Sequence, residues 1–138
     1  MVRITVYHNT QSRFGPYEDG QQLVAVAWHQ LDERTIAPNA VMVADWAFHI
    51  FNADLDQLEA QRASIGETAY LAACLYRALG NRSLSVGDVI EIHIGQNTVW
   101  LACDSHSWRR IAPPQRWTGP AGTTQAVYQH LTRMRGRR

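Results

Sequence analysis

Alternation constrains this chain more than any other feature, and it is concentrated between Arg82 and Ile111. From Val89 to Ile94, Ile90, Ile92 and Ile94 fall on one face and Glu91 and His93 on the other, the two-residue period of a half-buried strand. Gly95-Gln96-Asn97 supplies a short hairpin loop. The return strand, Thr98–Asp104, puts Val99, Leu101 and Cys103 on one face and Trp100 and Ala102 on the other. Ser85-Val86-Gly87-Asp88 is turn chemistry, with Gly87 free to take the positive φ that a Cβ resists. A polar corner then leads into a short strand, Trp108–Ala112. A sheet must be built around this hairpin.

The flanking segments complete it. Val2–Tyr7 alternates, with Val2, Ile4 and Val6 on one face. His8–Gln22 holds the turn signals Gly15-Pro16 and Asp19-Gly20. Leu23–Gln30 is an almost unbroken apolar run, which predicts a central strand buried on both faces. Val43, Trp46, Ala47, Ile50 and Phe51 recur at helical spacing. Asp54 and Asp56 read as a cap and a dipole partner for a short helical turn over Leu55–Arg62. Glu67–Leu79 is rich in helix formers, with Ser64 or Gly66 as N-cap and Gly80 as stop. Its expected buried stripe is Leu71, Cys74, Leu75 and Ala78.

A chain of 138 residues with 46% hydrophobic residues can bury a core as one domain. No apolar run approaches the roughly 20 residues of a spanning helix, and the N-terminus lacks a signal-peptide pattern, so a cytoplasmic protein with no membrane partner is expected. Cys74 and Cys103 are expected to be reduced. All basic residues are Arg. Residues 1–107 hold six Arg and all twelve acids, whereas residues 108–138 hold seven Arg and no acid. The net charge of +1 therefore conceals a divided chain.

Chemistry-bearing types crowd together at Cys103-Asp104-Ser105-His106. A catalytic reading would make Cys103 or Ser105 the nucleophile and His106 the base. Neighbours on an extended chain point to opposite faces, however, and a triad draws its members from separate segments. A buried thiol followed by a turn, with Asp104 accepting from backbone N–H groups, accounts for the cluster, and no catalytic residue is assigned. The six His show no metal-ligand spacing, two isolated Cys make no zinc site, and no phosphate-binding or hydrolase signature occurs. No metal or cofactor is expected. Glu91 and His93 fit an ion pair on a sheet face. Arg109, Arg110, Arg116, Trp117, Arg133, Arg135, Arg137 and Arg138 interleave cations with aromatics, as phosphate contact and base stacking require.

The string from Asn81 to Val89, NRSLSVGDV, followed by a hairpin and Cys103-Asp104-Ser105, resembles the YodL-like domain family. These are small domains of phage, plasmid and other mobile-element proteins. Phe48-His49-Ile50-Phe51-Asn52 resembles that family's helix ending in Phe-Asn. The likeness covers about residues 42–112. Ser107 stands where the family pattern has Gly, and the span from Ala53 to Gly80 is longer. On this resemblance Gly87, Asp88, Cys103, Asp104, Ser105 and Trp108 form a structural corner, and the setting implied is an accessory or interaction module, not an enzyme.

The expected fold is a single α+β domain over residues 1–112, a small antiparallel or mixed sheet with two to three helices on one face. Residues 113–138 form a basic C-terminal extension, with a short helix from about Thr123 to Arg133. The expected function is that of a non-enzymatic accessory or adapter protein of a mobile genetic element, acting through a protein partner. The alternative is a nucleic-acid binder using the Arg/Trp-rich C-terminal segment.

Overall fold

The computed structural model describes residues 2–12, 14–31 and 39–119. The elements run β1 (Val2–Asn9), β2 (Leu23–Leu31), α1 (Ala40–Asn52), α2 (Leu55–Ala60), α3 (Arg62–Ile65), α4 (Glu67–Ala78), β3 (Val89–Ile94), β4 (Asn97–Cys103), β5 (Trp108–Ile111) and β6 (Trp117–Thr118). One six-stranded sheet takes the order β5-β4-β3-β1-β2-β6. Among the described residues the pairings are antiparallel except the parallel match of β6 to the start of β2. This is the expected α+β fold with a mixed sheet, and α1 and α4 both pack on one face.

Period-two side chains divide the sheet cleanly. Val2, Ile4, Val6, Ile90, Ile92, Leu101 and Cys103 meet the helices in the main core. Tyr7, Val89, Trp100 and Ala102 face the other way, where Tyr17 from the β1–β2 loop covers one end of the sheet. β2 is not the central strand expected of it. It pairs with β1 along its length, whereas β6 meets it only at Leu23 and Val24. Its unbroken apolarity has a local cause: the register slips between Val6 and Tyr7. That bulge turns the consecutive residues Val26 and Ala27 toward the helix side.

Asn39 caps α1 by accepting from Val41 N and Met42 N. The stripe of α1 holds as read for Val43, Ala47, Ile50 and Phe51, with Ala44 joining it. Trp46 is half-buried and stacks on His29 at 5.3 Å. Asp54 caps α2 through Asp56 N, as its spacing implies. In α4 the buried face is a correction. Ala69, Ala72, Ala73 and Tyr76 are buried, while Leu71, Cys74 and Leu75 are half-exposed and Ala78 is exposed. Three alanines bring the α4 backbone close to its neighbours, and one tyrosine fills the remaining depth. The Phe51 and Tyr76 rings meet at 4.6 Å. Arg77 reaches Ile50 O and Ala53 O, supplying donors to carbonyls at the end of α1 that the helix itself leaves unsatisfied.

Residues 113–119 lie along the sheet rather than hanging from it. Leu23 N donates to Arg116 O, Pro114 is buried, and Trp117 stands edge-on to Tyr7 at 5.8 Å. The expected helix from Thr123 to Arg133 falls outside the described residues.

Candidate functional site

The turn before β3 is built around one carboxylate. Asp88 is fully buried and accepts from four donors. These are Arg82 Nη1 at 2.6 Å, Arg82 Nη2 at 2.7 Å, Asn9 N at 2.9 Å and Ser85 N at 2.8 Å. A buried charge survives only when it is paired and hydrogen-bonded to this extent. Gly87 N donates to Cys103 O and Cys103 N to Asp88 O, so the same turn fixes the end of β4. Asn52, at the end of α1, clamps both sides of the Leu84 peptide through Leu84 N and Leu84 O. The Asn81–Val89 string and the Phe-Asn helix end are thus joined as one structural hub.

Gly87 has two independent reasons to be glycine. Its φ is +95°, and a Cβ there would lie 2.5 Å from Gly15 O. That close approach pins the β1–β2 loop onto the turn. Above the pair is a cavity of about 290 Å³ lined by Asn9, Thr10, Ser12, Phe14, Arg82, Ser85 and Val86. Phe14 stands at its rim, 80% exposed and with a φ of 62°. A bulky residue in the left-handed region costs about 1–3 kcal/mol, and such strain gathers at functional positions.

A second, shallower cavity of about 180 Å³ lies where α1 meets the β4–β5 corner. Asp45, Phe48 and residues 103–108 line it. Trp108 Nε1 donates to Asp45 Oδ1 at 2.9 Å, and the Trp108 ring meets Phe48 edge-on at 6.4 Å. Burial pushes the Cys103 thiol up to about 11, with the Asp88 and Asp104 carboxylates adding to the effect. A neutral, buried thiol is a poor nucleophile. His106 and Ser105 are exposed. Asp104 departs from the expected turn: its Oδ2 accepts from Arg109 Nε at 3.3 Å, while its own N–H donates to Ser107 O. Its Oδ1 is buried without a hydrogen-bond partner among the described residues. Glu91 and His93 do approach each other, at 3.2 Å.

The Arg/Trp set is divided. Arg109 and Arg110 stand on β5 at one sheet edge, and Arg116 and Trp117 stand at β6 on the opposite edge. Arg109 also donates to Tyr17 O at 2.6 Å, and Arg116 reaches Gly20 O at 3.4 Å. Arg110 pairs in register with Leu101, which places it on the helix side, away from Arg109. Arg133, Arg135, Arg137 and Arg138 lie outside the described residues. Among the described residues, no group of His, Cys, Asp and Glu side chains is placed to hold a metal ion, and no helix is long and apolar enough to cross a membrane.

Sequence reasoning did not single out Asn9, Phe14 or Arg82. Asn9 and Asp88 are 79 residues apart, and no short-range pattern marks their meeting. Comparison with known proteins finds no matching family model, no matching curated protein and no matching solved structure.

Proposed function

We propose that this chain is a non-enzymatic interaction module, an accessory or adapter of a mobile element as the YodL-like resemblance implies. It engages a protein partner through the surface where α1 meets β5. The observation that carries this reading is the outward face of α1. Val41, Met42 and Phe48 of that helix are 46%, 51% and 41% exposed, and Phe48 lines the shallow cavity of the corner and meets the Trp108 ring edge-on. Exposed apolar side chains gathered beside a cleft are the signature of a contact surface, and aromatic anchors at its centre supply most of the binding energy. Asp45 and Arg110 give the rim both charge signs. The raised Cys103 thiol favours binding over nucleophilic chemistry at this corner.

The competing reading, nucleic-acid binding, draws less support because the described cations are split between two sheet edges and Arg109 is occupied by Asp104 and Tyr17. The deciding experiment is affinity capture from the native cell, with and without nuclease. Capture that survives nuclease and is lost in Met42→Glu/Phe48→Glu, while Gln57→Glu retains it, supports the module. Capture abolished by nuclease, or indifferent to the α1 substitutions, rejects it.

A further inference from the structure

We propose that the cavity between Phe14 and Arg82 is a binding site for one aromatic ring carrying an N–H or O–H donor. An indole or a phenol fits this description, stacked on the face of the Arg82 guanidinium. The site is distinct from the α1–β5 surface and does not depend on it.

The state of Arg82 excludes the commoner ligand. Its Nη1 donates to Asp88 Oδ2 at 2.6 Å and Ser83 O at 3.0 Å, and its Nη2 to Asp88 Oδ1 at 2.7 Å and Asn9 O at 3.3 Å. A guanidinium has five N–H groups in a fixed fork, so four are already committed and the plane is locked. An incoming phosphate or carboxylate would find no free pair of parallel donors and would meet the Asp88 carboxylate behind them. The side chain is nevertheless 46% exposed. With its edge donors committed, the face of the guanidinium plane is the surface left for a ligand, the kind on which aromatic rings stack.

The other polar groups are committed in the same sense. Ser12 Oγ donates to Gly15 O, Thr10 Oγ1 to Gln22 O and Ser85 Oγ to Ser83 O. Each hydroxyl has a single hydrogen, so each shows the cavity an acceptor oxygen. Asn9 spends its amide hydrogens on Gln21 Oε1 and Gly87 O and its oxygen on Gln11 N and Ser12 N. Among the described residues these hydroxyls therefore offer acceptors, which match a ligand that brings its own donor. Phe14 and Val86 supply apolar walls. The volume of about 290 Å³ lies at the lower end of the roughly 300–1,000 Å³ of small-molecule sites, room for one ring system and its immediate substituents. Phe14 is held at a strained φ without being buried, which a structural role leaves unexplained and a ring contact accounts for.

The test is a protein-observed NMR titration of the full chain with indole, with a capped Gly-Trp-Gly peptide, and with benzoate. Saturable shifts of the Ser12, Phe14 and Ser85 amides by indole or the peptide, and none by benzoate, are expected. Phe14→Ala, which disturbs no buried contact, should weaken binding by roughly three- to fivefold. Tighter binding of the peptide identifies a partner's side chain as the natural occupant; tighter binding of indole identifies a free metabolite. No saturable shift, shifts confined to other residues, benzoate binding as well as indole does, or a Phe14→Ala variant that binds like wild type overturns the proposal.

Discussion

His8 Nε2 lies 2.6 Å from the hydroxyl oxygen of Tyr76, and that hydroxyl donates its only hydrogen to Arg82 O at 2.5 Å. The proton between His8 and Tyr76 therefore belongs to the imidazole. His8 is the neutral tautomer protonated at Nε2, and the chain His8–Tyr76–Arg82 runs in one direction from β1 through α4 to the hub.

Acid should unravel this arrangement. Burial lowers His8 from an ordinary 6.5 to about 4, against an upward pull from Asp88 and alongside a downward push from Arg82. Burial lowers His29 to about 4 as well. Both folded values lie below the unfolded one, so the unfolded chain holds more protons between them. Their contribution is complete above about pH 6.5 and is lost as the pH falls toward 4. For His29 the loss is on the order of 3 kcal/mol. Urea midpoints should fall steadily between pH 7 and pH 4.5, and His29→Leu should flatten that dependence.

Removing the Asp88 carboxylate should be among the most damaging single changes outside the apolar core. Asp88→Ala strands Asn9 N and Ser85 N and frees Arg82, and it should cost about 3–5 kcal/mol in a urea titration. Tyr76→Phe removes one hydroxyl and leaves two groups unpaired, for about 1–3 kcal/mol.

Changes of side-chain size should cost more in the main core, on β3 and the buried face of α4, than on the outer face of α4. Ile92→Ala opens a cavity in the main core, for about 2–5 kcal/mol. Leu75→Ala should cost much less, since Leu75 is only half-buried. Ala73→Leu has nowhere to put its added atoms and should cost about 1–3 kcal/mol. Chemical denaturation of the three variants checks the ordering.

Cys103 should resist a thiol reagent at neutral pH and react at once in denaturant, because its thiol is buried and pushed up to about 11. Rapid native labelling of Cys103 would contradict that placement.

The sheet was largely legible in the sequence because period-two alternation is a local signal. Val89–Ile94 has the boundaries its pattern implies. The buried face of α4 was not, because hydropathy favours Leu71 and Leu75 over alanine, whereas close approach of a helix backbone favours the alanines. β2 misled for a related reason: a bulge and a doubly buried strand both appear as an unbroken apolar run. Of the candidate sites, the corner at residues 103–108 could be located because its residues are adjacent. The ring site could not, because Asn9 and Arg82 meet through non-local contacts around Asp88, and the loop carrying Phe14 joins them through the approach of Gly15 to Gly87.

The strand order has a kinetic consequence. β1 comes first in sequence yet sits inside the sheet, paired with β3 in the register Val2↔Ile94. At translation speeds of about 5–20 residues per second, β1 waits on the order of 4–16 s for β3 to emerge. During that interval the β1–β2 hairpin can form, but the β1 edge that β3 will cover lies open. Non-local pairing of this kind makes folding slow and exposes a strand edge to wrong partners. The vulnerable period for this protein is its own synthesis, before the turn at Gly87 has anything to close on.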